Sequence, residues 1–254
     1  MKISGRALVT GASSGIGEEF VRSLAGHCEH IVVVARRAER LEGLAASLAS
    51  QCRVEALQAD LASTEGQARV IEHIRQGPAL DLLVNNAGFS TLGPFASSLL
   101  DRELEMLRLH QDATLALTRA ALPGMIEAGH GAIINVASVA AFLQVPGVAV
   151  YGATKAFLLS YSRSLRAELA GSGVLVQCLC PGYTRTEIHS RDSFAGFDVS
   201  RVPGDMWMET DEVVAQSLQA LAEDRWLVVP GEANRALAEK GLGELVDALG
   251  SASA

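Results

Sequence analysis

Short apolar runs alternate with longer amphipathic stretches along the whole chain. Seven runs have the continuous apolar, often β-branched character of strands covered on both faces, and they lie at 6–10, 31–35, 54–58, 82–85, 132–137, 174–180 and 227–229. In most of the intervals apolar residues recur every three or four positions, which predicts helices at 15–26, 37–50, 63–75, 99–128, 151–171, 211–223 and 232–249.

This alternation predicts an α/β fold of three layers, with a doubly wound, mostly parallel, Rossmann-like sheet between two layers of helices. Ligands of such folds bind at the carboxyl ends of the strands. The chain has no internal repeat, low-complexity tract or Pro/Ser-rich linker, so we expect one domain over residues 1–254. The least regular stretch, near 187–207, is expected to form a substrate flap.

Composition excludes some classes of partner. The 254 residues are 49% hydrophobic, which suffices for a substantial core, and the net charge of −8 argues against nucleic acid or an anionic membrane. Residues 131–154 carry no charge, but Asn135, Gln144 and Pro146 argue against a membrane span. No apolar signal segment begins the sequence, so a cytoplasmic location is expected. Four cysteines without a C-x-x-C pair are expected to be reduced thiols, and no metal site is predicted.

A glycine-rich turn, Thr10-Gly11-Ala12-Ser13-Ser14-Gly15-Ile16-Gly17, follows the first predicted strand and opens the first helix. Its glycines allow a sharp turn and close approach to a pyrophosphate, and the helix amino end offers unpaired amides. The spacing differs from G-x-G-x-x-G, so a turn without a ligand is the alternative. The predicted cofactor contacts in this turn are Gly11, Ser13, Ser14, Gly15, Ile16 and Gly17.

The residues after the second strand bear on the choice of cofactor. Enzymes that select NAD usually place an acid there to bind the ribose hydroxyls, whereas this chain has Arg36 and Arg37. A guanidinium pairs with a 2′-phosphate and stacks on adenine, so NADP(H) is the predicted cofactor and NAD(H) the less favoured one. Two solvated arginines at a helix start are the alternative.

Two further strand ends carry candidate contacts to the adenosine. Asp60-Leu61 follows the third strand, and Asp60 could accept a hydrogen bond from the adenine amino group. Asn86-Ala87-Gly88 follows the fourth strand and could line the ribose. Ordinary turn chemistry explains each of them equally well.

Tyr151 and Lys155 are four residues apart and therefore share a face of the predicted helix. An adjacent ammonium is expected to lower the pKa of the phenol and to bind the nicotinamide ribose beside it. Ser138, at the end of the fifth strand, is expected to hold the substrate oxygen while Tyr151 exchanges a proton and the nicotinamide exchanges a hydride. This predicts an oxidoreductase acting on an alcohol or carbonyl.

In this order, the motifs TGxxxGIG, NNAG, Ser138 and YxxxK resemble the short-chain dehydrogenase/reductase family, in its single-domain branch, over residues 6 to about 230. The resemblance implies that Cys180-Pro181-Gly182-Tyr183-Thr184-Arg185-Thr186 meets the nicotinamide amide, with Pro181, Gly182, Thr184 and Thr186 as contacts. It also implies a homodimer or homotetramer that pairs through the helices at 99–128 and 151–171.

One position departs from the family pattern. The family's fourth catalytic residue is an Asn, and His110 stands at the matching place. Its carbonyl could hold the family's relay water, or its ring could relay protons. A packed helix histidine outside the site is the equal alternative.

The substrate is predicted to be hydrophobic, because apolar side chains are frequent in the loops and the flap that should face the cleft. These residues are Phe89, Leu92, Phe95, Phe142, Leu143, Val145, Phe194, Phe197, Val199, Val202, Met206, Trp207 and Met208. The alternative is that they pack the flap onto the body or onto a partner subunit and contact no substrate. A catalytically silent dinucleotide-binding sensor or scaffold is the second functional hypothesis, although it would need neither Tyr151 nor Lys155.

Overall fold

The computed structural model describes residues 3–187, 200 and 202–250. Seven parallel strands form one sheet in the order β3-β2-β1-β4-β5-β6-β7. The strands are β1 Arg6–Thr10, β2 His30–Ala35, β3 Arg53–Gln58, β4 Leu82–Asn85, β5 Gly131–Val136, β6 Val174–Leu179 and β7 Leu227–Val228. The helices are α1 Gly15–Ala25, α2 Ala38–Leu48, α3 Thr64–Gln76, α4 Leu100–Leu107, α5 Ala113–Ala128, α6 Ala149–Glu168, α7 Thr210–Ala222 and α8 Glu232–Gly250.

The sheet is covered on both faces. On one face, Phe20 of α1, Leu41 of α2 and Val213 of α7 pack against inner-strand residues in one apolar cluster. On the other face, Val70 of α3 and Leu117 of α5 belong to a second cluster, which α6 also joins. Continuous apolar runs such as β1 can be buried from end to end because both of their faces meet helices. The predicted three-layer α/β fold is confirmed.

The predicted helix at 99–128 is wrong in one respect. It is divided into α4 and α5 by a π-helical turn, Arg108–Asp112, and His110 is buried in that turn. A π turn adds one residue to a helical turn, which leaves the spacing of apolar residues almost unchanged on either side. Periodicity therefore predicts one continuous helix, although the interruption turns a polar side chain toward the strand ends.

The chain reverses its winding between β1 and β4, which are neighbours in the sheet. At such a switch point the loops after adjacent strands diverge to opposite faces, which opens a crevice at the carboxyl ends. The glycine turn follows β1, and the segment at 86–88 follows β4. The topology therefore brings the sequence motifs to one edge of the sheet.

Buried amides tie the central strands together below this crevice. Asn85 donates hydrogen bonds from Nδ2 to Asn135 Oδ1 at 2.9 Å and to Thr118 Oγ1 at 3.1 Å. Asn135 in turn donates from Nδ2 to Ser162 Oγ at 2.9 Å. The network joins β4, β5, α5 and α6, so it fixes the helices that carry the candidate site.

Part of the expected flap, at 188–199 and 201, lies outside the described residues, and with it Phe194, Phe197 and Val199. None of the helices within the described ranges is long and apolar enough to cross a bilayer.

We expect Asn135→Ala to lower the free energy of unfolding by about 1–3 kcal/mol, because it leaves Asn85 and Ser162 with unpaired buried groups. Urea denaturation measures the change. The control is Gln219→Ala on the exposed face of α7, which should change stability by less than about 0.5 kcal/mol. Equal effects of the two substitutions on the free energy of unfolding would contradict a stabilising role of the buried amide hydrogen bonds.

Candidate active site

A cavity of about 570 Å³ opens at the carboxyl ends of the strands. With one exception, it is lined by all the residues that the sequence nominated for the site. These are Gly11, Ser13, Ser14, Gly15, Ile16, Arg36, Arg37, Asp60, Leu61, Asn86, Ala87, Gly88, His110, Ser138, Tyr151, Lys155, Pro181, Gly182, Thr184 and Thr186. The cavity reaches from the end of β2 to the start of α6, as an extended dinucleotide would require.

The glycine turn forms one wall of the cavity. Gly11 and Gly15 have φ of 67° and 59°, in the left-handed region that a side chain disfavours. Ser14, at the N-cap of α1, makes no side-chain hydrogen bond to the first turn of its helix. Those first-turn amides therefore keep their capacity to bind an anion, which fits a pyrophosphate.

Gly17 is the exception among the nominated residues. It does not line the cavity. A Cβ atom at Gly17 would lie 2.4 Å from Asn86 Nδ2 and 2.5 Å from the carbonyl oxygen of Gly11. This glycine lets α1 approach the ends of β1 and β4, and its contribution is close packing.

The two arginines after β2 differ in their surroundings. Arg37 donates from Nη2 to Ser13 Oγ at 2.9 Å and to Ser14 Oγ at 2.8 Å, so it braces the glycine turn. Its Nη1 lies 2.9 Å from Glu187 Oε2, and the hydrogen bond from Arg37 is the main cause that holds the pKa of Glu187 below its ordinary value. Arg36 is 58% exposed, and its Nη1 is 3.6 Å from Glu105 Oε1. No sequence pattern pointed to Glu187, which is 150 residues from Arg37.

Asp60 and Asn86 already have partners in the fold. The Asp60 carboxylate accepts the Ala62 amide at 3.0 Å, and Asn86 donates from Nδ2 to the Thr10 carbonyl at 2.9 Å. The backbone amide of Asn86 also donates to Thr10 Oγ1 at 2.9 Å. These bonds shape the loops, while other parts of both residues face the cavity.

Tyr151, Lys155 and Ser138 converge on the opposite wall. Tyr151 lies in the first turn of α6, and Lys155 follows one turn later. Lys155 donates from Nζ to the Val136 carbonyl at the end of β5 at 3.0 Å, and its Nζ is 5.5 Å from the centre of the Tyr151 ring. Ser138 follows β5 at the start of a 3-10 turn, where its hydroxyl also accepts the Ala140 amide at 3.1 Å. Strand end and helix start therefore bring the three groups together.

Burial dominates the electrostatics of this wall. It raises the pKa of Tyr151 above its ordinary value, although a hydrogen bond with Ser138 works in the opposite direction. Burial also lowers the pKa of Lys155 to about 8. The direction for Tyr151 is opposite to the sequence expectation, because loss of hydration outweighs the stabilisation of the phenolate. At neutral pH the phenol therefore holds its proton.

His110 is buried and close to this group. Its ring is 6.0 Å from the Tyr151 ring, centre to centre, and meets it edge to face. Both ring nitrogens have partners: Nδ1 is 2.8 Å from Thr154 Oγ1, and Nε2 accepts the Phe89 amide at 3.3 Å. The imidazole thus lies against α6, at the edge of the cavity.

The segment that follows β6 forms another part of the cavity wall. A Cβ at Gly182 would lie 1.9 Å from Asn234 Oδ1, so only glycine fits above this side chain of α8. Asn234 is buried and donates from Nδ2 to the Pro230 carbonyl at 3.2 Å. No sequence pattern signalled Asn234, because an amide in an amphipathic helix resembles a solvated residue.

The apolar lining agrees only partly with the expectation. Phe89, Leu92, Leu143 and Val145 line the cavity, and Val139, Val148 and Leu237 add to it. Two predictions are wrong: Phe95 is 60% exposed, and Phe142 is buried in a cluster with residues of α6 and β6.

The described end of the flap also packs elsewhere. Met208 joins the apolar core with α1 and α7, and the Trp207 ring lies 5.4 Å from that of Tyr183. Val202, Met206, Trp207 and Met208 do not line the cavity at the strand ends. Packing onto the body is observed for Trp207 and Met208.

Comparison with known proteins gives the class of the chain. The family described as short chain dehydrogenase matches residues 5–193. The chain belongs to the short-chain dehydrogenase/reductase family. This makes it an oxidoreductase of a class that uses a nicotinamide dinucleotide and small-molecule hydroxyl or carbonyl substrates.

Individual relatives agree with this assignment. The NADP-dependent 3-hydroxy acid dehydrogenase YdfG of Escherichia coli (strain K12) is 34% identical over 196 residues, which are 75% of this chain and 77% of that protein. The short-chain dehydrogenase from Sphingobium yanoikuyae in complex with NADPH is 37% identical, with a TM-score of 0.85 over 96% of this chain and 95% of its own. The bulky-bulky ketone specific alcohol dehydrogenase from Comamonas testosteroni is 29% identical, with a TM-score of 0.80 over 98% and 94%.

We expect Gly182→Ala to lower the melting temperature and to weaken NADPH binding, because the added methyl group overlaps Asn234 at a cost of about 1–3 kcal/mol. The double substitution Gly182→Ala/Asn234→Ala removes the overlapping atom and should recover part of the stability lost. Calorimetry of the single and double variants tests the coupling. If the double variant loses as much stability as the two single variants lose together, the proposed overlap between the added methyl group and Asn234 is contradicted.

Proposed function

We propose that this chain is an NADP(H)-dependent oxidoreductase that interconverts a hydrophobic carbonyl compound and its alcohol. One observation carries the proposal: Ser138, Tyr151 and Lys155 form one wall of a cavity whose far end consists of the glycine turn and Arg36. A cavity of this length can hold a dinucleotide with its nicotinamide beside the phenol.

The chain's own groups would act on a single oxygen of the substrate. The hydroxyl of Ser138 and the phenol of Tyr151 both donate to that oxygen, which orients the carbonyl and polarises it. In reduction Tyr151 gives its proton to the developing alkoxide, and burial keeps the phenol in the protonated form from which this step starts. The Lys155 ammonium, anchored on Val136, stabilises the phenolate that results and binds the nicotinamide ribose beside Tyr151. A bound nicotinamide supplies or accepts the hydride at its C4.

The preference for NADP(H) rests on the end of β2. Arg36 and Arg37 both line the cavity there, where selection of NAD requires an acid. The Arg37 guanidinium is engaged by Ser13, Ser14 and Glu187. Arg36, more than half exposed and only loosely paired, is the better placed of the two to meet a 2′-phosphate.

The hydrophobic character of the substrate rests on the walls beside Tyr151. Phe89, Leu92, Leu143 and Val145 line that part of the cavity. Apolar walls with few polar groups suit an aliphatic or aromatic ketone. The Comamonas testosteroni relative, a bulky-bulky ketone specific alcohol dehydrogenase, is in keeping with this proposal.

We also propose a homodimer or homotetramer that pairs through α4, α5 and α6. Three of the larger apolar side chains on α4 and α5 are exposed in the isolated chain: Leu104, Leu115 and Ile126. Pairing would remove such side chains from water.

Tyr151→Phe should reduce turnover by about 100-fold or more, because it removes the proton donor but keeps the ring. NADPH affinity should stay near that of the unaltered protein. The measurement is NADPH absorbance across a panel of aliphatic and aromatic ketones, with NADPH binding followed by fluorescence. Tyr161→Phe, on the same helix and stacked on Phe157, is the matched control and should retain activity. NADPH binding without turnover of any ketone or alcohol would favour a silent sensor.

Arg36→Asp should weaken NADPH binding by about 1–3 kcal/mol, because a charge-assisted contact to the 2′-phosphate is lost, and should improve the relative use of NADH. Dissociation constants for both cofactors give the result. The control Arg53→Asp makes the same change of charge at an arginine outside the cavity that pairs with Glu55. An unchanged ratio of NADPH to NADH affinity would contradict the role of Arg36.

A further inference from the structure

We propose that His110 is a positioning residue: a neutral imidazole, with its proton on Nδ1, that hydrogen-bonds the loop after β4 to α6 and so fixes Tyr151 in the site. This inference rests on the proposed function, because it assigns the residue that orients the proposed proton donor. It also excludes proton transfer through the ring itself.

The partners of the ring determine its tautomer. The backbone amide of Phe89 can only donate, so Nε2, at 3.3 Å from it, must accept with its lone pair. The ring proton is then on Nδ1, which donates to Thr154 Oγ1 at 2.8 Å. The Thr154 hydroxyl has one proton, and it donates that proton to the Tyr151 carbonyl at 2.8 Å. All three hydrogen bonds are therefore donated in the same direction, from the loop after β4 to the first turn of α6.

A charged imidazole does not fit this chain of bonds. With both nitrogens protonated, Nε2 would face the Phe89 amide as a second donor, and that bond would be lost. The ring is 1% exposed, so water cannot replace the lost partner. Burial, with the charge of Lys155 as a second cause, also holds the pKa of His110 well below its ordinary value.

The backbone is built to place this ring. The π-helical turn at 108–112 carries His110, and the rest of this long helical segment is α-helical. Opposite the ring, a Cβ at Gly88 would lie 2.6 Å from Nε2, so the glycine after Ala87 gives the imidazole its space. Phe89 and Tyr151 stand at the two ends of this chain of hydrogen bonds. The centre of the His110 ring lies 6.3 Å from that of the Phe89 ring and 6.0 Å from that of the Tyr151 ring.

The consequence for the reaction is geometric. Tyr151 is in the first turn of α6, where the backbone N–H groups have no partner within the helix. The hydrogen bond from the Thr154 hydroxyl holds the Tyr151 backbone carbonyl. The His110 ring meets the Tyr151 ring edge to face and so supports the side chain. Small displacements of a proton donor from its acceptor are costly in rate, so loss of this support should lower kcat and leave cofactor binding intact.

The first test does not depend on turnover. We would record nitrogen-15 NMR spectra of the histidine rings of the full chain, with and without NADPH, and assign His110 by the signal missing in His110→Gln. Between about pH 6 and pH 8 we expect a neutral ring protonated on Nδ1 throughout. A ring that is protonated on Nε2, or that titrates within this range, would overturn the proposal. This result stands whether or not any carbonyl compound is reduced.

The second test separates positioning from general stability. Thr154→Val removes the hydroxyl that joins His110 to Tyr151, and we expect roughly a tenfold fall in kcat with NADPH affinity within about twofold. Thr154→Ser restores the hydroxyl and should recover most of the rate. Ser162→Ala, which removes another buried hydroxyl of the same helix, should lose stability without a matching loss of kcat. The rate would be measured with the best ketone of the panel. An unchanged kcat in Thr154→Val, or an equal loss in Ser162→Ala, would refute the positioning role.

Discussion

The hydrogen bond from Lys155 Nζ to the Val136 carbonyl, at 3.0 Å, joins the helix that carries the phenol to the strand that carries Ser138. A buried ammonium is costly unless it is paired, and here a strand-end carbonyl supplies part of what water would otherwise provide. Val136 is the last residue of β5, so this bond joins α6 to the carboxyl end of a central strand. The site therefore depends on the place where β5 stops.

The cost of burial also sets the chemistry. Burial raises the pKa of Tyr151 and lowers that of Lys155 to about 8, so it favours the neutral form of both side chains over the charged form. A proton donor of this kind suits the reduction of a carbonyl at neutral pH. The same low polarity explains why the neighbouring imidazole is better suited to hold a helix than to carry a charge.

Polar groups inside the fold act mainly as connectors around the site. Asn85 and Asn135 join the central strands, Arg37 braces the glycine turn, and Asn86 joins the ends of β1 and β4. Each bond links segments that are far apart in sequence. These hydrogen bonds cross-link the walls of the cavity, and such cross-links favour a preorganised site.

Alternation of apolar runs and amphipathic stretches was enough to determine the sheet, its layers and the edge at which ligands bind, because these follow from local spacing. The sequence also nominated residues of the glycine turn, Arg36, Ser138, Tyr151 and Lys155, and the structure brings all of them except Gly17 to one cavity. Only the tertiary structure decided what depends on distant contacts. Such contacts include the close packing of Gly17 against Asn86 and of Gly182 against Asn234. They also include the ion pair of Arg37 with Glu187. The π-helical turn that contains His110 is likewise visible only in the structure. The tertiary structure also reversed the expected direction of the Tyr151 pKa, because desolvation is a property of the packed surroundings that spacing along the chain does not contain.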